Sequence, residues 1–282
     1  MTNLRFGVST HLYHDHKLSR DHLAEIASFG FDAVEVFATR THFDYHDSRA
    51  IDDLATWLDE TKLRLHGIHA PIAKSLSGET WGETFSNAST DEAVRQQALR
   101  EAAAALNIAR AIPTDVFVVH LGTPAAHKLS AADNNRAAAA RSIQDICSWA
   151  DAAKVRLALE VIPNDLSSAE ALVEMLEEDL EASEAGICLD FGHARLTGDL
   201  LDAIEVCSGH LITTHVHDNR GKQDDHLVPF DGTIDWSAAL MAMQKIGYEG
   251  TYLFEVARTG APAEVLRRTC SARRRFEVIL GG

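Results

Sequence analysis

Fourteen residues, THVHDNRGKQDDHL (214–227), hold three histidines and three aspartates. Imidazole nitrogens and carboxylate oxygens are the donor atoms that borderline divalent cations take, so this density suits one wall of a metal site. The same residue types recur at the ends of apolar runs elsewhere. His69 closes RLHGIHA (64–70), His120 sits in DVFVVHL (115–121), and Glu160 in RLALEVI (156–162). Asp190 lies in GICLDF (186–191), with His193 three residues on, and Glu255 in GTYLFEV (250–256). Each has an ordinary reading on its own: a packed histidine, a paired carboxylate, an aspartate capping a turn. Their joint occurrence is harder to explain that way. Carboxylates in apolar surroundings are costly unless a strong opposite charge compensates them, and a divalent cation supplies one. Mixed imidazole and carboxylate donors without thiolate favour Zn²⁺, Mn²⁺, Fe²⁺ or Co²⁺ over Ca²⁺ or Mg²⁺.

Such a site needs elements that aim all these side chains at one point. RFGVST (5–10), DAVEVF (32–37) and LITTHVH (211–217) complete a set of eight strand-like runs. Several are continuously apolar, as expected for parallel strands covered on both faces. Amphipathic segments lie between them: 20–30, 90–112, 134–154, 167–182 and 235–247. Strand and helix alternate without a linker-like change of composition, which predicts one (β/α)8 TIM barrel over residues 1–282. A doubly wound open sheet is the competing arrangement. Neither G-x-G-x-x-G nor G-x-x-x-x-G-K follows the first strand, which weighs against it. In a barrel the C-terminal strand ends share one mouth. His69, His120, Glu160, Asp190, His215 with His217, and Glu255 end six consecutive strands, and His193, Asp224 and His226 follow in loops. Around that mouth, His11, Arg40, Trp81 and His217 are further candidates for touching a substrate. Trp81 lies in the long loop 70–87, which has the length of a lid.

Composition bounds the partners. The chain has 282 residues, 15 histidines and a formal net charge of −16, which weighs against a broad nucleic-acid-binding face. No apolar run approaches the length of a membrane span, and the N-terminus lacks a signal-peptide pattern. The four cysteines form no C-x-x-C pair, so a reduced, cytoplasmic protein is expected.

The motifs GIHAP (67–71), VVHLG (118–122), LALEVIPN (157–164), CLDFGHA (188–194), HVHDN (215–219), DDH (224–226) and FEV (254–256) together resemble the xylose isomerase-like TIM barrels. That group includes sugar epimerases and isomerases, keto-inositol dehydratases and endonuclease IV, and the resemblance spans essentially the whole chain. For the epimerase type it implies one metal, Mn or Zn, held by Glu160, Asp190, His215 and Glu255. The two glutamates would pass a proton through a metal-bound enediolate, and His193 would touch a small carbohydrate substrate. For endonuclease IV it implies three zinc ions, with His69, His120, His193, Asp224 and His226 as additional ligands, and cleavage at abasic DNA. Resemblance to the sugar-type members also implies homo-oligomers. The arginines of RRTCSARRRF (267–276) fall on the last helix, whose far end points away from the mouth of a barrel. HVHDN followed by DDHLVPFDGTIDW is more similar to the sugar branch.

Overall fold

The computed structural model describes residues 4–77, 80–124, 133–180 and 184–281. Eight parallel strands form a closed barrel: β1 (Arg5–Ser9), β2 (Ala33–Phe37), β3 (Arg64–His69), β4 (Val116–Val119), β5 (Arg156–Glu160), β6 (Gly186–Asp190), β7 (Leu211–Val216) and β8 (Thr251–Phe254). Each strand bonds to the next in sequence, and β8 returns to β1. The (β/α)8 TIM barrel expected from the sequence is therefore the observed fold. Every expected run contains its strand, but the strands stop early. His120, His217 and Glu255 lie just beyond the strand ends, where side chains are released from the ladder towards the mouth.

The outer layer comprises α1 (Arg20–Ser28), α2 (Ser48–Thr61), α3 (Glu92–Ala111), α4 (Arg136–Ala153), α5 (Ala169–Asp179), α6 (Phe191–Thr197), α7 (Leu200–Cys207), α8 (Trp236–Lys245) and α9 (Pro262–Ile279). Side-chain caps start several of them. Asp91 accepts from the Ala93 and Val94 amides, Asn135 from Ala138, and Asp235 from Ala238, each satisfying a helix-end donor. α2, α6 and α7 lie outside the helical segments named from the sequence. The segment 167–182 yields α5 alone, and its positions 181–182 lie outside the described residues. In the loop 70–87, of which positions 78–79 are also outside, a short hairpin pairs Leu76 with Trp81.

Two register shifts set the barrel interior. On β3, Val34 faces Leu65 but Glu35 faces Gly67, so His66 is an extra residue in the ladder. On β7, Ile187 faces Leu211 but Cys188 faces Thr213, leaving Ile212 extra. A bulge breaks strict two-residue alternation. It explains why His66, whose facing the sequence leaves open, reaches across to Thr213 Oγ1 at 2.9 Å while nearby His69 also points inward.

The loop after β2 is fastened to α3 through Glu101. Its carboxylate accepts from Tyr45 Oη (2.6 Å) and lies 2.9 Å from His46 Nε2. Burial alone would raise this carboxyl, but the His46 and Tyr45 hydrogen bonds and the charges of His46 and Arg40 outweigh it and hold it below the usual range. A carboxyl depressed on folding stabilises above its unfolded value of about 4.3 and loses that contribution as pH falls through the folded value. Glu101→Gln is therefore expected to flatten the acid limb of stability against pH, measured by urea unfolding between pH 3 and 7. An unchanged acid limb would contradict the assignment.

Candidate metal centre

The deepest group at the mouth is Glu160, Asp190, His215 and Glu255, whose ligand atoms all lie within 4.8 Å of one another. All four side chains are buried. Asp190 and His215 are register partners on β6 and β7, which fixes their spacing through the backbone. His215 Nδ1 is 3.0 Å from Glu160 Oε1, 3.5 Å from Glu255 Oε2 and 4.0 Å from Asp190 Oδ2. Glu160 is the hub of the site. His69 Nε2 approaches its other oxygen at 3.2 Å and His120 Nε2 at 3.0 Å. Despite that proximity, Glu160 Oε2 and both His120 nitrogens make no hydrogen bond of acceptable geometry. Donor atoms that crowd together without bonding one another are what a set converging on a shared point looks like. Burial would raise the Glu160 carboxyl, yet His215 and His120 outweigh it and hold it well below the ordinary range. An anion of this kind fits a cation better than it fits solvent.

A second group sits nearer the opening: His193, His217, Asp224 and His226. His193 Nε2 and His226 Nε2 each lie 3.0 Å from Asp224 Oδ2, and His217 Nε2 is 3.7 Å from Oδ1. His217 also reaches Asp190 at 2.9 Å, so Asp190 stands between the two groups. Asp190 caps α6 as well, accepting from the His193 amide at 2.7 Å. One residue thus launches the helix and places His193 beside the deep group. Burial would lower His226, but Asp224 outweighs it and pushes the imidazole up to about 10. The His226 backbone is left-handed, with φ +43°, a conformation uncommon outside glycine. It is held by its side chain on the Glu255 carbonyl (2.9 Å) and by its own carbonyl accepting from Ala257 N (2.8 Å).

A cavity of about 380 Å³ opens above both groups, with Glu160, Glu255, His69, His120, His193 and His226 exposed to it. That volume lies at the small end for small-molecule pockets. Phe37, Ile72, Trp81, Pro163 and Leu196 supply an apolar wall, and Lys222 and Gln223 a polar rim. Of the further candidates for touching a substrate, His11 and Trp81 line this cavity. Arg40 does not. It is an exposed residue beside Asp44 (3.9 Å), because the loop after β2 turns outward towards α3. His217 is fully buried behind the lining, stacked on His226 with ring centroids 3.9 Å apart, so it contacts the metal-capable groups and not the cavity.

Sequence reasoning gave no role to two buried carboxylates. Glu35 on β2 is one, with Oε2 3.0 Å from His215 Nε2. Asp218 is the other. Its two oxygens accept from the amides of Asn219, Phe230, Thr233 and Ile234 and from Trp236 Nε1, at 2.8–3.1 Å. This single carboxylate ties both ends of the loop that carries Asp224 and His226. The sequence signal was the D of HVHDN followed by the donor-rich FDGTIDW. Asp218→Ala would orphan four of the five donors, the Thr233 amide alone keeping a second acceptor in the Asn219 carbonyl at 2.9 Å. We expect a loss of about 3–5 kcal/mol, in the range for stripping a buried charge network of one member. Chemical unfolding of the variant measures it, and a loss below about 1 kcal/mol would contradict this account of the loop.

A closed parallel barrel with clustered imidazoles and carboxylates at its C-terminal mouth defines a class, and the comparisons place the chain within it. Residues 23–275 match the xylose isomerase-like TIM barrel family, to which this chain belongs. It is 27% identical over 264 residues to an uncharacterised protein of Methanocaldococcus jannaschii, covering 90% of this chain and 84% of the other. Among solved structures it is similar to a D-tagatose 3-epimerase-like protein, with a TM-score of 0.79, 24% identity and 99% and 98% of the two chains covered. It is also similar to the D-psicose 3-epimerase of Clostridium cellulolyticum H10, with a TM-score of 0.76, 17% identity and 98% and 99% covered. Among the described residues, no helix is long and apolar enough to cross a membrane.

Proposed function

We propose that this protein is a divalent-metal-dependent isomerase or epimerase of a small sugar or sugar-like hydroxy-ketone. One observation carries the reading: two glutamates, Glu160 from β5 and Glu255 just after β8, converge with Asp190 and His215 at the floor of a small cavity. Two carboxylates within reach of one small substrate are what proton transfer between its two faces needs. The sugar epimerases among the structural neighbours support the same class.

Glu160, Asp190, His215 and Glu255 would hold the cation. Bound there, Mn²⁺ or Zn²⁺ supplies Lewis acidity towards a carbonyl and its neighbouring hydroxyl. One glutamate then takes the proton from the carbon next to the carbonyl. The other returns a proton to the opposite face, or to the adjacent carbon in an isomerisation. His193 donates Nδ1–H to the Val161 carbonyl at 3.1 Å. Burial would lower its imidazole, but Asp190 and Asp224 outweigh it and push it well above the usual range. The protonated Nε2, which bonds to Asp224 at 3.0 Å, is then a donor for the oxygen on which negative charge develops. Trp81 and Leu196 would cover the apolar face of the sugar and exclude water.

A second reading keeps one specific observation in its favour. His69, His120, His193, Asp224 and His226, which endonuclease IV would use for further zinc ions, are also brought together. Elemental mass spectrometry of the purified protein separates the two. About one metal per chain supports the epimerase or a dehydratase on the same site. Three zincs per chain, with nicking of an abasic duplex that weakens steeply with salt, would replace it with the nuclease.

A further inference from the structure

We infer that Glu35 is the positioning residue of the metal centre: it holds His215 through Nε2, so that Nδ1 is the nitrogen offered to Glu160, Asp190 and Glu255. This rests on the metal reading above and adds a residue to it.

The geometry is a relay. Glu35 Oε2 lies 3.0 Å from His215 Nε2, and on the far side of the same ring Nδ1 lies 3.0 Å from Glu160 Oε1. A neutral imidazole has one N–H and one lone pair. With Nε2–H donated to Glu35, the lone pair must sit on Nδ1 and face the deep group. A carboxylate behind a ligating histidine fixes tautomer and ring orientation in this way. Glu35 is fully buried and its Oε1 has no hydrogen-bond partner. A carboxylate in that setting is costly unless its one strong contact matters.

The neighbouring strand is built around this carboxylate. A Cβ at Gly67 would lie 3.0 Å from Glu35 Oε2, 3.3 Å from its Cγ and 3.2 Å from Val116 Cγ2. The bulge at His66 is what turns Gly67 towards Glu35. The glycine of GIHAP therefore leaves room for Glu35. A carboxylate serving only as counter-ion to a protonated His215 would have no effect once a metal occupies Nδ1, whereas a positioning carboxylate would.

The test uses the full chain and zinc as the probe. Zinc affinity is measured by competition with a chromogenic chelator for wild type, Glu35→Gln, Glu35→Leu and Gly67→Ala. Glu35→Leu should bind about 10–100-fold more weakly, the usual range for losing such a partner. Glu35→Gln keeps an acceptor oxygen and should lose less. Gly67→Ala should weaken binding with Glu35 intact, and it carries the test with Glu35→Gln if Glu35→Leu does not fold. A second readout is spectroscopic. In ¹⁵N-histidine spectra of the zinc-loaded wild type, His215 should show a slowly exchanging Nε2 proton that Glu35→Leu loses or shifts, which a general loosening of the fold would not do selectively. Folded variants with wild-type affinity and an unchanged Nε2 signal would overturn the role of Glu35 alone. A wild type that takes up no zinc or manganese would overturn the metal reading itself, and this inference with it.

Discussion

Replacing Glu255 by glutamine is expected to slow exchange of a substrate's α-proton with solvent by about 10²–10⁴-fold, the span that a positioned acid–base group contributes. The substitution preserves shape. The hydrogen bond that anchors His226 uses the Glu255 backbone carbonyl and is untouched by it. Circular dichroism and the unfolding midpoint should therefore stay near wild type while exchange collapses. Deuterium uptake followed by NMR measures the effect. A Glu255→Gln enzyme that exchanges at the wild-type rate would remove the two-glutamate scheme.

Glu160→Gln is expected to do more damage, because in the proposed site Glu160 would serve both the metal and the charge balance. Four imidazoles lie around it: His69 at 3.2 Å, His120 at 3.0 Å, His215 at 3.0 Å and His193 at 3.6 Å. Neutralising it should lower metal content well below one per chain. It should also destabilise the metal-free protein by about 3–5 kcal/mol, the cost of leaving buried partners without their counter-charge. Elemental analysis and urea unfolding with chelator present report the two effects separately. Wild-type metal content in this variant would show that Glu160 is not a ligand.

The fold was legible because parallel barrel strands are buried on both faces and read as continuous apolar runs. DVFVVHL and RLALEVI are clear cases. The site was legible wherever a ligand type closed such a run, as at His69, Glu160 and Asp190. Glu35, a residue near the mouth, could be given no role, because it lies inside AVEVF instead of at its end, and whether it faced inward depended on pairing with β3. That pairing contains the His66 bulge, which no period-two pattern announces. Arg40 was misplaced for a related reason. Position after a strand does not say which way the following loop turns, and here Glu101 on α3 draws that loop outward. His217, a candidate for touching a substrate, lies behind the cavity wall because the His226 ring stacks over it. α6 escaped notice because a helix of seven residues begun by Asp190 has too few turns to show a period.

The most direct test of the central claim is solvent-deuterium incorporation. The metal-loaded protein is incubated in D₂O with a panel of free and phosphorylated ketoses, and each sugar is examined by NMR. The account predicts deuterium at a carbon next to the carbonyl of at least one ketose, with its epimer or isomer appearing, and loss of both on chelation. No exchange with any member of the panel, in protein shown to hold its metal and accompanied by nicking of abasic DNA, would contradict it.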